Sequence, residues 1–148
     1  MNFGSSFGIS ASALTTQRLR MDVISSNIAN AETTRASVVD GKAVPYKRKL
    51  VVLEATQSDK FSNILHSKMN GSPEGVKVQS IIEDSSPLKP VYNPSHPDAD
   101  ANGYVYMPNV DITKEMVDML SASRSYEANV TMLNATKAMV SKALEIGR

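Results

Sequence analysis

Residues 116–144 read MVDMLSASRSYEANVTMLNATKAMVSKAL, and the spacing of apolar residues in this stretch decides the fold. Apolar or aromatic side chains recur at alternating steps of three and four residues, which is typical of a helix that packs along one side against another helix. A helix from Asp111 to Ile146 would be about 54 Å long, much longer than an average globular helix. The pattern therefore predicts a long C-terminal helix with a packing seam. Its positions are Met116, Met119, Ser123, Tyr126, Val130, Leu133, Lys137, Val140 and Leu144.

Start and stop signals bound this predicted helix. Asp111 or Thr113 can cap its first turn, Glu115 adds a carboxylate there, and Gly147 follows the last turn. Lys137 is the charged residue of the seam. It either pairs with an acid on a neighbouring helix or lies at the solvated edge of a narrow seam. The apolar and aromatic seam residues are the candidate subunit-packing residues of this helix.

The N-terminal region predicts a second helix, from Ile9 to about Asn30, because no Pro or Gly interrupts it. Apolar residues recur there every seven positions, but Ser10 and Gln17 occupy intermediate positions, so the seam is weak and needs burial from a partner. The start of this segment is rich in Gly and Ser. We therefore expect it to be disordered in the free chain and to become ordered on assembly. The candidate packing residues of this helix are Leu14, Met21, Ile24 and Ile28.

The middle of the chain has a different character. Residues 33–109 contain all seven prolines and only short, strand-like apolar runs. Asp40-Gly41, between Val39 and Val44, predicts a tight hairpin turn. The other predicted elements are strands over residues 50–54 and 76–82 and a mobile loop over residues 58–75.

These patterns predict an α+β fold. The long N- and C-terminal helices form a coiled-coil-like layer, and the middle of the chain loops out from it as a separate β-rich module. The predicted segments are residues 1–32 for the N-terminal helical segment, 33–109 for the β-rich module and 110–148 for the C-terminal helix, which pairs with the N-terminal one.

Composition excludes several classes of function. Sixteen Lys and Arg against fifteen Asp and Glu leave a net charge of +1, which does not favour nucleic-acid binding. The run Lys47-Arg48-Lys49 is either a solvated strand edge or a phosphate contact. Without cysteine the chain forms no disulfide and no thiolate site. No apolar run approaches the roughly 18 residues of a membrane span, and the N-terminus lacks the pattern of a secretory signal peptide.

No catalytic or metal-binding constellation emerges from the polar residues. Asp98, Asp100, Asn102 and Gly103 resemble the start of a calcium loop, but the twelfth position is Asn109 instead of a glutamate, and prolines replace the flanking helices. A polar turn is the expected structure. Two histidines thirty residues apart, His66 and His96, are too few ligands for zinc. We therefore expect no enzyme activity, metal, cofactor or small-molecule substrate.

The end of the first helix carries a specific motif. The stretch SSNIANAETT, residues 25–34, resembles the S-x-N-I-A-N-x-x-T signature of flagellar rod and hook proteins. The stretches NVD from 109, EMV from 115, RSYEAN from 124 and ALEIGR from 143 are similar to those of proximal rod proteins of the flagellar basal body. The signature residues are Ser26, Asn27, Ile28, Ala29, Asn30 and Thr33.

This resemblance implies a structural subunit of the proximal rod. Such subunits are exported without a cleaved signal by the flagellar type III apparatus. They polymerise with themselves and with other rod subunits through their terminal helices, into a drive-shaft that crosses the periplasm. Two other functions stay open on the residues alone. A secretion adaptor would use the C-terminal heptads in a closed complex, and a cell-wall hydrolase would need paired carboxylates, for which Asp98 and Asp100 are the best candidates.

Overall fold

A computed structural model describes residues 3–39, 42–56 and 75–146. It confirms the α+β fold, with a long helix at each end of the chain and short strands between them. In chain order the elements are α1 (Phe3–Ala29), β1 (Ser37–Val39), β2 (Lys42–Val44), β3 (Lys49–Ala55), β4 (Val76–Glu83), β5 (Lys89–Tyr92), β6 (Tyr104–Met107) and α2 (Ile112–Ile146).

The two helices have nearly the predicted bounds. Helix α1 starts at Phe3, earlier than the predicted Ile9, and ends at Ala29. Helix α2 has 35 residues, which makes it about 52 Å long. Asp111 is its cap: the carboxylate Oδ1 accepts hydrogen bonds from the backbone N–H groups of Thr113 at 3.0 Å and Lys114 at 3.4 Å. Gly147, predicted to close the helix, lies outside the described residues.

The described strands form three separate two-stranded sheets, β1–β2, β3–β4 and β5–β6. The predicted hairpin is confirmed, because β1 and β2 pair antiparallel with Val39 opposite Lys42. Its turn residues, Asp40 and Gly41, lie outside the described residues, as does most of the loop predicted over residues 58–75. The antiparallel hairpin β5–β6 was not predicted, because Pro90 interrupts its first strand.

The chain divides into two compact units, each assembled from three or two separate stretches of sequence. The first contains residues 1–20, 52–80 and 121–148, and the second contains residues 21–51 and 81–120. The boundaries therefore cut across both helices and across β3 and β4. The predicted segments 1–32, 33–109 and 110–148, and the pairing of the two helices, stay predictions.

The first unit is held partly by small polar contacts. Ser12 Oγ accepts a hydrogen bond from the Val76 N–H at 3.2 Å, and Thr56 N–H donates to the Gly75 carbonyl at 2.7 Å. A Cβ at Gly75 would lie 2.8 Å from Ser12 Oγ, so only glycine allows this approach without displacing the serine. The hydrogen bond between Thr56 and Gly75 brings together the residues on either side of positions 57–74.

The second unit has a small apolar core at the end of α1 and on β6. Because the aromatic content is low, this core is thin, and two polar side chains are buried in it to an unusual degree. The core residues are Val23, Ile24, Tyr46, Val105 and Val110, and the buried polar residues are Asn27 and Glu115.

Candidate functional site

The signature residue Asn27 is the centre of a buried polar cluster in the second unit. Its side chain is 1% exposed. The amide Nδ2 donates to the Lys49 carbonyl at 2.9 Å and to Glu115 Oε2 at 3.0 Å. Its Oδ1 accepts from the Lys49 N–H and from the Tyr46 hydroxyl, both at 2.9 Å. All the donors and acceptors of the amide are therefore used.

Local structure explains how Asn27 reaches these partners. Val23 and Ile24, four and three residues earlier on α1, are buried on the same side of the helix and fix its orientation. The amide then pairs with both backbone groups of Lys49, as a neighbouring strand would. It thereby holds the first residue of β3 against α1. The Tyr46 ring is buried beside it, and Lys49 Nζ lies 5.7 Å from the centre of that ring.

Glu115, in the first turns of α2, forms the other half of the cluster. It is 1% exposed and accepts hydrogen bonds from Asn27 and, at 2.6 Å through Oε1, from Arg48 Nε. Arg48 Nη2 also lies 2.5 Å from Glu115 Oε1, and the arginine side chain is 14% exposed. A carboxylate this deeply buried needs a cation and hydrogen bonds, and it has both.

Two further carboxylates surround Arg48. Asp84 Oδ2 and Asp118 Oδ2 each lie 3.6 Å from its guanidinium nitrogens. The pKa of Asp84 is lowered mainly by hydrogen bonds from Ser86 and, to a smaller extent, by the charge of Arg48. The Arg48 guanidinium therefore lies among three carboxylates, that of Asp84 just after β4 and those of Glu115 and Asp118 on α2.

A second asparagine fixes the backbone of the same residue. Asn109 Oδ1 accepts from the Arg48 N–H at 2.8 Å, and its Nδ2 donates to the carbonyls of Ser86 at 3.2 Å and Asp84 at 3.4 Å. The segment before α2 is thus tied to the ends of β3 and β4. The cluster acts as a joint between α1, the strands and α2. Because the polar groups of the cluster form hydrogen bonds and ion pairs with one another, its role is structural.

The predicted signature residues gather around Tyr46. Ser26 Oγ lies 3.5 Å from the Tyr46 hydroxyl, and the Tyr46 N–H donates to the Thr33 carbonyl at 3.1 Å. Asn30 Nδ2 donates to the Ser26 carbonyl at 2.9 Å, and its Oδ1 accepts from the Thr33 hydroxyl at 3.3 Å. Ile28 is half-buried and Ala29 is exposed. The motif therefore ends the helix and turns the chain towards the strands.

The predicted packing residues differ widely in burial. Met116 and Leu144 are 61% and 73% exposed, and Lys137 is exposed. Ile24 is buried within the second unit. The remaining ones are half-buried, namely Leu14, Met21, Ile28, Met119, Tyr126, Val130, Leu133 and Val140. Their contacts with other subunits, and the role of Lys137, stay predictions.

Sequence patterns missed most of the joint. The run Lys47-Arg48-Lys49 was expected to be a solvated edge or a phosphate contact, and its two lysines are indeed exposed. For Arg48 the solvated edge is wrong, because its guanidinium binds Glu115 inside the unit. Glu115 was expected only to favour the helix start. The two residues are 67 positions apart, and nothing in the spacing signals the pair.

The turn between β5 and β6 contains the residues that resembled a calcium loop. Asp98 accepts hydrogen bonds from the Thr34 hydroxyl at 2.9 Å and from the Arg35 guanidinium. The Arg35 hydrogen bond, with that from Thr34, lowers the pKa of Asp98. His96 Nδ1 accepts from the Asp98 N–H at 3.1 Å, as expected of a loop residue. The carboxylate thus fastens a polar turn. His66 lies outside the described residues.

Within residues 3–39, 42–56 and 75–146, no group of three His, Asp or Glu side chains is arranged to hold a metal ion. In the same part of the chain, no helix is long and apolar enough to cross a membrane.

Comparison with known proteins gives two family matches at the ends of the chain. Residues 7–36, which include the Asn27 signature, match the family described as flagella basal body rod protein. Residues 101–146 match the C-terminal family of flagellar basal body rod FlgEFG proteins. Both halves of the polar joint, Asn27 and Glu115, lie within these matched regions.

Whole-chain relatives are more decisive. A flagellar basal-body rod protein FlgC from Bacillus subtilis is 59% identical over 146 residues, covering 97% of each chain. The chain belongs to the FlgC family of flagellar basal-body rod proteins. Two further relatives support this assignment. The FlgC protein from Borreliella burgdorferi is 45% identical over 99% of this chain and 98% of the relative. The FlgC protein from Salmonella typhimurium is 44% identical over 96% of both chains. FlgC-type rod proteins are structural proteins of the flagellum and not enzymes, so the hydrolase alternative is not supported.

Proposed function

We propose that this FlgC-type chain is a subunit of the proximal rod that polymerises through its terminal helices into the helical drive-shaft crossing the periplasm. A structural role in the rod of the basal body, and hence in motility, already follows from family membership. The polymerisation, the position in the periplasm and the route of export are the proposal.

One observation carries the proposal: α2 has exposed apolar side chains along its whole length. A helix that packs on its own chain along one side normally has a polar opposite side. Here large apolar residues remain more than half exposed, which favours contacts with neighbouring molecules. These residues are Met116, Val117, Leu120, Met132, Met139 and Leu144.

Helix-mediated contacts of this kind can generate a rod. If the surface on one subunit differs from the surface it meets on the next, the contact does not close and the assembly extends as a helix. Helix α1 supports this, because its seam residues Leu14, Met21 and Ile28 are only half-buried in the single chain. The proposed partners are further copies of this chain and other rod subunits.

Export by the flagellar type III apparatus accounts for the place of assembly. The chain would be cytoplasmic only until export and would then enter the basal body. This part of the proposal rests on the family resemblance. Nucleic acids and small-molecule substrates have no place in it.

The first experiment is cryo-electron microscopy of basal bodies purified from cells that express a tagged chain. The expected result is density for the chain in the rod, with both terminal helices innermost. A tag found only in a discrete soluble complex would instead establish the adaptor function. Tagged protein that accumulates in the cytoplasm of cells lacking the export apparatus, and reaches the rod when export is restored, would establish the route.

A deletion separates assembly from folding. Removing residues 1–20 deletes most of α1 but leaves Asn27, which holds Lys49 and Glu115 in the second unit. We expect the shortened chain to retain the circular-dichroism signal of the second unit and to be absent from purified rods. Recovery of the shortened chain in rods at the wild-type level would contradict the role of the N-terminal helix.

A further inference from the structure

We propose that the tyrosine-bearing face of the hairpin β5–β6 docks in the groove beside β4 of a second copy of this chain. The inference rests on the proposed function, since assembly in the rod is what brings copies together. It adds to that function a specific pair of surfaces, both of which lie in the second unit.

The register of the hairpin places three tyrosines on one face. Tyr92 lies opposite Tyr104, and Pro90 lies opposite Tyr106. Cross-strand partners share a face, and so do residues two positions apart on one strand. Tyr92 is 66% exposed, and Tyr104 and Tyr106 are 44% and 46% exposed. Val105, on the opposite face, is buried and anchors the hairpin to its own chain.

The aromatic face is held in position before any partner binds. The rings of Tyr92 and Tyr104 meet edge to face, with their centres 5.4 Å apart. Gly103 has a φ of 78°, and a Cβ there would lie 3.0 Å from Tyr92 Cε2, so the turn packs closely on the ring. Side chains that are already fixed lose little entropy on binding, which favours a docking role.

Strand addition at the edge of β5 is a less suitable mode of contact. All four residues of β5 are exposed, but they include Lys89 and Pro90, which hinder pairing with another strand. Lys89 Nζ also donates to the Val110 carbonyl at 3.0 Å, which holds its side chain on the face opposite the tyrosines. A partner is therefore expected to meet the tyrosine side chains of the face and not the backbone.

The proposed receiving groove lies between α1 and β4 and has a volume of about 450 Å³. Its apolar part consists of Val23, Ile81 and Ile82, and the two isoleucines are each 47% exposed. Its polar lining residues are Asp22, Ser26, Lys49 and Glu83. Among the described residues, Glu83 forms an exposed ion pair with Lys47 at 3.5 Å, which is weak. Its carboxylate can therefore accept another hydrogen bond.

The two surfaces complement each other chemically. Tyrosine offers an apolar ring and a hydroxyl donor, whereas the groove offers apolar isoleucines and carboxylate acceptors. Since both surfaces are on one chain, the natural occupant is a second copy. Contact between unlike surfaces repeats from copy to copy without closing, as a rod requires. Contact between two tyrosine faces would close at a dimer and leave the groove unused.

The lack of cysteine allows a direct test by disulfide cross-linking. A chain carrying both Tyr106→Cys and Ile82→Cys is expressed in place of the wild type, basal bodies are purified and oxidised, and the products are separated without reductant. We expect a ladder of dimers and larger species that collapses to monomer when reductant is added. The matched control pairs Ile82→Cys with Val38→Cys, an exposed residue of β1, and should give no ladder.

Each outcome of this test decides the proposal. Double-cysteine chains that enter basal bodies but give no cross-linked product, with either Tyr106→Cys or Tyr92→Cys as the hairpin partner, overturn the docking and leave the rod function intact. Absence of the tagged wild-type chain from basal bodies overturns the rod function itself. A double variant that is folded by circular dichroism yet excluded from basal bodies, while the Val38 control enters, supports the docking. If Tyr106→Cys unfolds the chain, the more exposed Tyr92→Cys decides the result.

Discussion

The joint around Asn27 and the outer side of α2 reverse the usual arrangement of a soluble protein. In the joint, a buried carboxylate binds both a buried amide and a guanidinium that is only slightly exposed. On α2, methionines such as Met132 and Met139 are exposed to solvent. A monomeric protein of this size would be expected to place its apolar groups inside and its charges outside.

The difference indicates how the chain divides two tasks. Hydrogen bonds depend strongly on direction, so a polar joint fixes the geometry of the helix ends and strands while contributing little net stability. Apolar contacts are less directional and are well suited to association. The shape of the subunit is therefore specified inside the chain, whereas the burial that stabilises the rod is left to its neighbours.

The largest effect on folding is expected for Arg48→Met. It leaves the buried Glu115 carboxylate without its cation, and loss of one partner of a buried pair typically costs about 3–5 kcal/mol. Urea unfolding followed by circular dichroism measures this loss. The control is Lys47→Met, the adjacent basic residue, whose pair with Glu83 is exposed and should change the unfolding free energy by about 0.5 kcal/mol or less. Equal losses in both variants would show that the joint is not a buried ion pair.

A somewhat smaller effect is expected for Asn27→Ala. The change leaves the Tyr46 hydroxyl and both Lys49 backbone groups without their partner, which should lower the unfolding free energy by about 2–3 kcal/mol. Asn30→Ala is the matched control, since that amide is only half-buried and bonds locally, and it should cost about 1 kcal/mol. If the two variants lost the same unfolding free energy, the signature would stabilise the chain through the end of α1 and not through the joint.

Asp98→Asn should have a smaller effect that depends on pH. The pKa of Asp98 is lowered by the hydrogen bonds from Arg35 and Thr34. A lowered folded-state pKa contributes stability that is present above the ordinary value of 3.8 and is lost as the pH falls through the lowered pKa. The wild type should thus exceed the variant in urea midpoint at pH 7, and the gap should narrow towards pH 3. A gap that did not change with pH would contradict this assignment.

The smallest effect on folding is expected for Met139→Ser, on the exposed part of α2. The unfolding free energy of the free chain should change by about 0.5 kcal/mol or less. The amount of chain recovered in purified basal bodies should nevertheless fall, because the lost contact belongs to the assembly. Lys142→Ser, which breaks an exposed pair with Glu145, serves as the control and should leave recovery unchanged. Normal incorporation of Met139→Ser would remove this residue from the packing surface.

The sequence was sufficient for features that repeat or follow local rules. The heptad spacing located α2, Asp111 marked its start, and Asp40-Gly41 located the first hairpin. Elements that depend on distant contacts were not predictable. Arg48 and Glu115 meet only after the chain has folded, and β5 was hidden because Pro90 is unusual in a strand. For Asn27, the sequence supplied the motif, but only the structure shows that its amide joins α1 to β3 and α2.

The hydrogen bond between Thr56 and Gly75 has a practical consequence for protein engineering. One backbone hydrogen bond of 2.7 Å joins Thr56 and Gly75, the described residues on either side of positions 57–74. Lengthening a closed loop costs little free energy, about 0.6 kcal/mol for each doubling. An affinity peptide or a fluorescent label inserted between Thr56 and Gly75 would leave both termini of the chain unchanged, and we expect the hydrogen bond between these two residues to keep the ends of β3 and β4 together.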